Sequence, residues 1–221
     1  TRNNFTGGLT ANRGPQINLA STHYVIGSGT LTVNHTSNQS VNIGQGQEGV
    51  INAPGISLWN NVDLVGDMRT AGTNFVLRGN VSLAPGGVGG TRTIEATGEL
   101  GILGVISGAG SNLIKAGASG LTLNGTNTYT GTTTLTAGSI LIGTDVLPTT
   151  NGALGNSDTP LLINGANTLF GLSGQVTMGR DIVTTGIGTD NQLITILGNS
   201  IYTSKVTGGM GLTLSAGTGR I

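Results

Sequence analysis

Short apolar strings of period two, each shut off by glycine, recur from one end of this chain to the other. Thr30-Leu31-Thr32-Val33-Asn34, Gly120-Leu121-Thr122-Leu123-Asn124 and Gly211-Leu212-Thr213-Leu214-Ser215 are examples. Alternation bounded by turn residues is the mark of half-buried strands. Glycine makes up 41 of the 221 residues, with 34 Thr and 21 Asn, where helical proteins carry Ala, Glu and Lys. Gly7-Gly8-Leu9-Thr10 breaks the glycine-every-third rule of collagen. Nine basic and nine acidic residues leave no cationic excess on which phosphate neutralisation rests, so a nucleic-acid partner is not expected. No run approaches the roughly 18 apolar residues of a membrane helix, so no membrane insertion by this segment is expected. Cysteine is absent, which excludes disulfides and thiolate metal sites.

The strings also repeat at longer range. Leu31 to Leu121 is 90 residues and Leu121 to Leu212 is 91. Ile106-Ser107-Gly108 matches Val206-Thr207-Gly208, and Ala116-Gly117 matches Ala216-Gly217, each 100 apart. Asn3-Asn4-Phe5-Thr6-Gly7 matches Asn127-Thr128-Tyr129-Thr130-Gly131 at 124. Irregular recurrence suits a solenoid, whose stacked coils tolerate loops of any length. Gly and Asn take positive φ cheaply and mark the corners. Outward Thr pairs along a ladder, and Val, Ile and Leu fill the axis in columns. The expected fold is therefore all-β, one continuous parallel β-helix (β-solenoid) over 1–221. At about 20–25 residues per coil and about 4.8 Å per rung, it makes roughly ten coils and a rod on the order of 50 Å long.

Residues 105–143 carry the fullest pattern. It comprises Gly108 and Gly110, Leu113-Ile114-Lys115, Gly117 and Gly120, Leu121-Thr122-Leu123, Asn127 to Gly131, Thr133-Thr134-Leu135, Ala137-Gly138 and Ile140-Leu141-Ile142. This stretch resembles the autotransporter passenger-associated β-strand repeat along nearly all of its length. Its repeat-defining positions are Asn127, Tyr129 and Gly131, echoed by Asn3, Phe5 and Gly7. By the same likeness, 1–14 is a partial repeat, 15–104 are atypical coils, and 144–221 are further coils ending in a partial repeat. The resemblance implies a right-handed parallel β-helix displayed outside a bacterial cell, structural in role. The chain opens on a repeat's second half and closes on a first half. The expectation is a segment of a longer array, or a subunit that stacks end to end.

Candidate chemistry is thin. His23 and His35 lie 12 apart with no intervening carboxylate, so zinc-ligand spacing is absent. Gly44-Gln45-Gly46-Gln47-Glu48-Gly49 fits a dinucleotide fingerprint in letters, but Val50-Ile51-Asn52-Ala53-Pro54 offers no following helix. Gly186-Ile187-Gly188-Thr189-Asp190 is half of one calcium nonapeptide, without the tandem copies that share an ion. Asp63 and Asp67, and Glu95 and Glu99, are spaced by four; on one strand they stand roughly 13 Å apart, too far for a glycosidase pair, although neighbouring coils could bring one of each pair together. Arg69 and Arg92 make ion pairs the simpler reading of these acids. Lys115 is expected on the surface. No catalytic residue, cofactor or metal is assigned.

Two aromatics are candidate ligand surfaces: Trp59, the single tryptophan, whose alternative is a cap on a solenoid column, and Tyr129, whose alternative is a ring covering a coil corner. The leading expectation is a non-enzymatic structural element of an extracellular or cell-surface stalk or fibre. A second is an adhesin whose region 36–92 meets a glycan or host surface. A third is a polysaccharide-degrading β-helix or tailspike.

Overall fold

A computed structural model describes residues 6–12, 16–18, 23–24, 28–34, 41–44, 57–71, 74–185, 192–208 and 212–216. Asn3, Phe5, His35 and most of 36–56 lie outside them, as do 186–190. The described chain winds through three faces in turn. Face 1 holds five strands: Leu9–Asn12, Leu31–Asn34, Val62–Leu64, Val81–Ser82 and Ile106–Ser107. Face 2 is nine strands deep, from Gln16–Asn18 to Val206–Gly208. Face 3 is also nine strands deep, from His23–Tyr24 to Leu212–Ala216. These sheets, and a two-stranded one of Thr177–Met178 with Ile201–Tyr202, are all parallel, each strand pairing with its counterpart one rung away, as in Leu31 with Val62 and Val62 with Val81. This is a β-solenoid. The one helical feature among the described residues is a 3₁₀ turn at Pro85–Gly87. Nine strands per long face stand in place of the roughly ten coils expected, and the rungs vary widely in length. One step along face 3 carries the chain from His23 all the way to Ser57, whereas another carries it only from Thr122 to Leu141.

Period-two alternation places one apolar column inside each strand position. On face 3, Leu58, Leu77, Ile102, Leu123 and Ile142 stack, every one fully buried. On face 1, Leu31, Val62, Val81 and Ile106 do the same. Each such side chain contributes about 1.5–3 kcal/mol on burial, and every added rung repeats that gain up to the ends of the column. The outward column of face 2 runs Thr93, Ile114, Thr134, Leu162, Val183, so the expected threonine ladder is diluted with aliphatics.

The columns correct the long-range recurrences. Leu31 lies on face 1 and Leu121 on face 3, while Leu212 pairs two positions out of line with the Leu121 column. Ile106 is on face 1 and Val206 on face 2. The matched strings are thus not equivalent rungs. All three faces ask for the same local pattern, so any strand resembles any other.

Corners are where the chain spends its polar groups. Gly131 donates its N–H to Ser111 O at 3.0 Å, and a Cβ there runs into that same carbonyl and the Asn112 amide. Gly117 turns with φ +81°, and a Cβ there meets the Ala96 carbonyl one rung below. Only glycine lets the backbones approach that closely. Gly7 likewise packs directly against Gly29 of the next rung.

Candidate functional site

Backbone amides that turn a corner leave the sheet ladder and need other acceptors. Side chains of neighbouring rungs supply them. Asn61 Oδ1 accepts from Asn80 N at 3.0 Å, and Asn80 Oδ1 from Val105 N at 3.0 Å. Asp67 accepts from Thr93 N at 2.7 Å, Glu99 from Gly120 N at 3.0 Å, Asp145 from Thr177 N at 2.7 Å, and Asp181 from Lys205 N at 2.9 Å. These four carboxylates are therefore corner staples. The supposed pairs do not share strands either. Asp63 is on Val62–Leu64 while Asp67 lies past the turn at Val65 and Gly66, and Glu95 and Glu99 flank the corner at Thr97 and Gly98. Of the two arginines, Arg69 does pair with Glu95, at 3.5 Å on the adjoining rung. Arg92 instead donates to Leu64 O at 2.7 Å.

Tyr129 is not a ligand surface; it is the covered ring of the alternative reading. Its side chain is fully buried and its hydroxyl lies 2.6 Å from Thr133 Oγ1. Burial holds the phenol up at about 12, well above the ordinary 10.0. The ring is covered because the next rung is longer. On face 2 Lys115 pairs with Leu135, but the following step, from Leu135 to Ile163, takes up more chain, and the surplus forms a loop over 144–160. That loop folds back on the repeat: Asn127 and Gly152 exchange backbone hydrogen bonds at 2.9 and 3.2 Å, and Asn156 N donates to Tyr129 O at 2.7 Å. Asn127 is itself fully buried; its Oδ1 accepts from Ile106 N and its Nδ2 donates to Ala153 O, both at 2.7 Å.

Two buried cations complete this node, and sequence reasoning misplaced one and missed the other. Lys115 stands in the core column between Ile94 and Leu135, not on the surface. Its stem packs with the aliphatics while Nζ reaches the corner and donates to Ala116 O, Gly117 O and Ala137 O at 2.8–3.0 Å. Burial lowers its pKa to about 8, against the opposing charges of Glu99 and Glu95. Arg180, 1% exposed, pins the loop by donating to Thr159 O at 2.9 Å and Leu154 O at 2.7 Å. Burial lowers its pKa, with Tyr129 and Asp158 opposing. Nothing in Gly179-Arg180-Asp181 signals an interior arginine, since charges ordinarily mark solvated corners.

Trp59 does lie outside, 55% exposed, at the corner between faces 3 and 1. Leu58 pairs with Leu77, which sets Trp59 beside Arg78 on the next rung, its guanidinium 5.0 Å from the ring centroid. Leu103, 39% exposed, follows at the same corner one rung further. Among the described residues no group of three His, Cys, Asp or Glu is placed to hold a metal. Gly44 closes the strand Val41–Gly44, and the rest of the glycine fingerprint is outside the described residues, like the calcium half-copy. No family model matches this chain, and neither the curated proteins nor the solved structures yield a match.

Proposed function

We propose that this chain is a structural rod element of an extracellular, bacterial-surface stalk or fibre, continuing along its axis into further coils or into another subunit. The observation that carries the reading is the pair of nine-stranded parallel faces whose corners are stapled by side chains from adjoining rungs. Backbone pairing parallel to the long axis, at every rung, resists both pulling and proteolysis. Carboxylates that accept backbone amides are spent on holding turns, which favours scaffold over carboxylate catalysis. The likeness of 105–143 to the autotransporter repeat adds the cell-surface setting.

The test is electron microscopy of the purified chain combined with limited proteolysis. Rods about 40 Å long for a single copy, given nine rungs at about 4.8 Å, or filaments in multiples of that length, are expected. Resistance to protease across 57–185 is expected with them. Compact particles, or release of sugar from a polysaccharide panel that disappears in Asp63→Asn, would overturn the reading.

A further inference from the structure

The corner between faces 3 and 1 carries a feature that a plain rod does not need. Trp59 presents a large apolar ring to solvent, and its guanidinium neighbour is held in place by Arg78 Nε donating to Ser57 Oγ at 3.2 Å. Among the described residues the one ion pair is Arg69 with Glu95, so the Arg78 charge is not met by a carboxylate there. Its terminal nitrogens are a planar fork suited to two parallel hydrogen bonds with a carboxylate. Directly beside this pair the exposed Asn61 and Asn80 spend their Oδ1 atoms on backbone amides of the next rung. That commits both Oδ1 atoms, while the NH₂ groups of these exposed side chains, two donors each, make no hydrogen bond among the described residues. Leu103 extends the apolar strip two rungs from Trp59, about 10 Å along the axis.

We infer that this ridge is a binding site for an acidic polysaccharide, one whose sugars carry carboxylates. A pyranose ring lays its apolar face on the exposed part of Trp59 that the overlying Arg78 guanidinium leaves free, its carboxylate meets the Arg78 fork past the ring's edge, and neighbouring hydroxyls accept from Asn61 and Asn80. The size of the strip favours a sugar over a folded protein. Three rungs offer a footprint of two or three sugars, far below the roughly 800 Å² per partner of a stable protein interface. The unmet positive charge selects an acidic polymer over a neutral one. The inference goes beyond the rod reading: an inert ridge leaves the rod intact, and a rodless particle still allows the ridge to be tested.

Titration calorimetry of the full chain with oligogalacturonate, alginate oligomers and hyaluronan, beside neutral galactan, tests it. At low salt at least one acidic polymer binds about tenfold or more tighter than galactan, a margin of one decade in Kd that shrinks as salt screens the charge. Trp59→Ala abolishes binding, and Arg78→Gln removes the preference for acid while Arg78→Lys restores part of it. Circular dichroism of these variants stays unchanged, since both side chains lie outside the core. Equal affinity for acidic and neutral polymers, no binding by any of the three acids, or binding indifferent to Trp59→Ala overturns the inference. So does capture of an acidic protein, rather than a sugar, by the same two residues.

Discussion

The rungs of 57–104 and those of 105–143 have the same parallel stacking but close their corners by different chemistry. In the earlier rungs the staples are exposed: Asn61, Asn80 and Asp67 accept backbone amides at the rim, where water stands ready to replace them. The later rungs keep some rim staples, such as Thr130 on Gly110 N, and add interior ones: Asn127, Tyr129 and Lys115 make their bonds from buried positions. An exposed staple is worth what any water-competed hydrogen bond is worth, roughly 0.5–1.5 kcal/mol. A buried one guards groups that have no substitute partner, so its removal costs far more. What distinguishes the repeat at 105–143 is therefore the interior corner chemistry it adds rather than its strands. The strands are common to the whole rod.

The sharpest way to break this contrast is at the aromatic positions. Tyr129→Ala and Phe75→Ala each empty a core site and are expected to cost about 3–5 kcal/mol by urea denaturation. Only Tyr129→Ala should also free the loop over 144–160, exposing its tip at 147–151 to protease. Equal protease patterns in the two variants would remove the node from the account. Next comes the amide pair. Asn127→Ala orphans Ile106 N–H and Ala153 C=O and should cost about 3 kcal/mol, whereas Asn80→Ala should cost about 1 kcal/mol because water reaches Val105 N–H. Matching losses in the two variants would mean that burial is not what separates the regions.

A titration experiment sharpens the same contrast without a cavity. Lys115 holds its proton less tightly in the fold, at about 8 against the ordinary 10.5, so between those values the unfolded chain carries more protons. Stability should rise as pH climbs through that window. Tyr129, held up at about 12 against 10.0, works the other way: the unfolded phenol ionises first, and stability should fall above pH 10. Tyr202, also raised, adds to that fall. Melting temperature against pH should lose its rise in Lys115→Met and keep its fall; a rise that survives in that variant refutes the assignment. The smallest effect belongs to the surface pair, whose side chains are 41% and 36% exposed. Arg69→Ala should change stability by less than about 0.5 kcal/mol, measured by the same denaturation.

Much of the fold was legible before any coordinates. Apolar-Thr-apolar strings fix which side chains point inward, because successive strand residues face opposite ways. Glycine and asparagine locate the turns, and Trp59, which the sequence left between a column cap and a binding surface, lies exposed at one of them. The rest of the site was less legible. Lys115 has the chemistry of a surface group, and Tyr129 suits an exposed stacking face as well as a covered corner. Both are interior because an overlong rung lays a loop over one and a corner of carbonyls caps the other. Asp67 and Glu99 offered no sign of their backbone partners, Thr93 and Gly120, each of which lies a full rung away.

Alternation and turn chemistry are local properties of a chain, so the amino-acid order alone dictated strands, corners and an all-β stack. Which strand lies above which depended on rungs as unequal as Thr122 to Leu141 and His23 to Ser57, and therefore on contacts across whole coils. The interior positions of Asn127, Tyr129, Lys115 and Arg180 arose at that level too. Lys115 and Tyr129 find some partners within a few residues, but Ala137, Ala153 and Leu154 reach this node from more than twenty residues away, and no local pattern records that arrival.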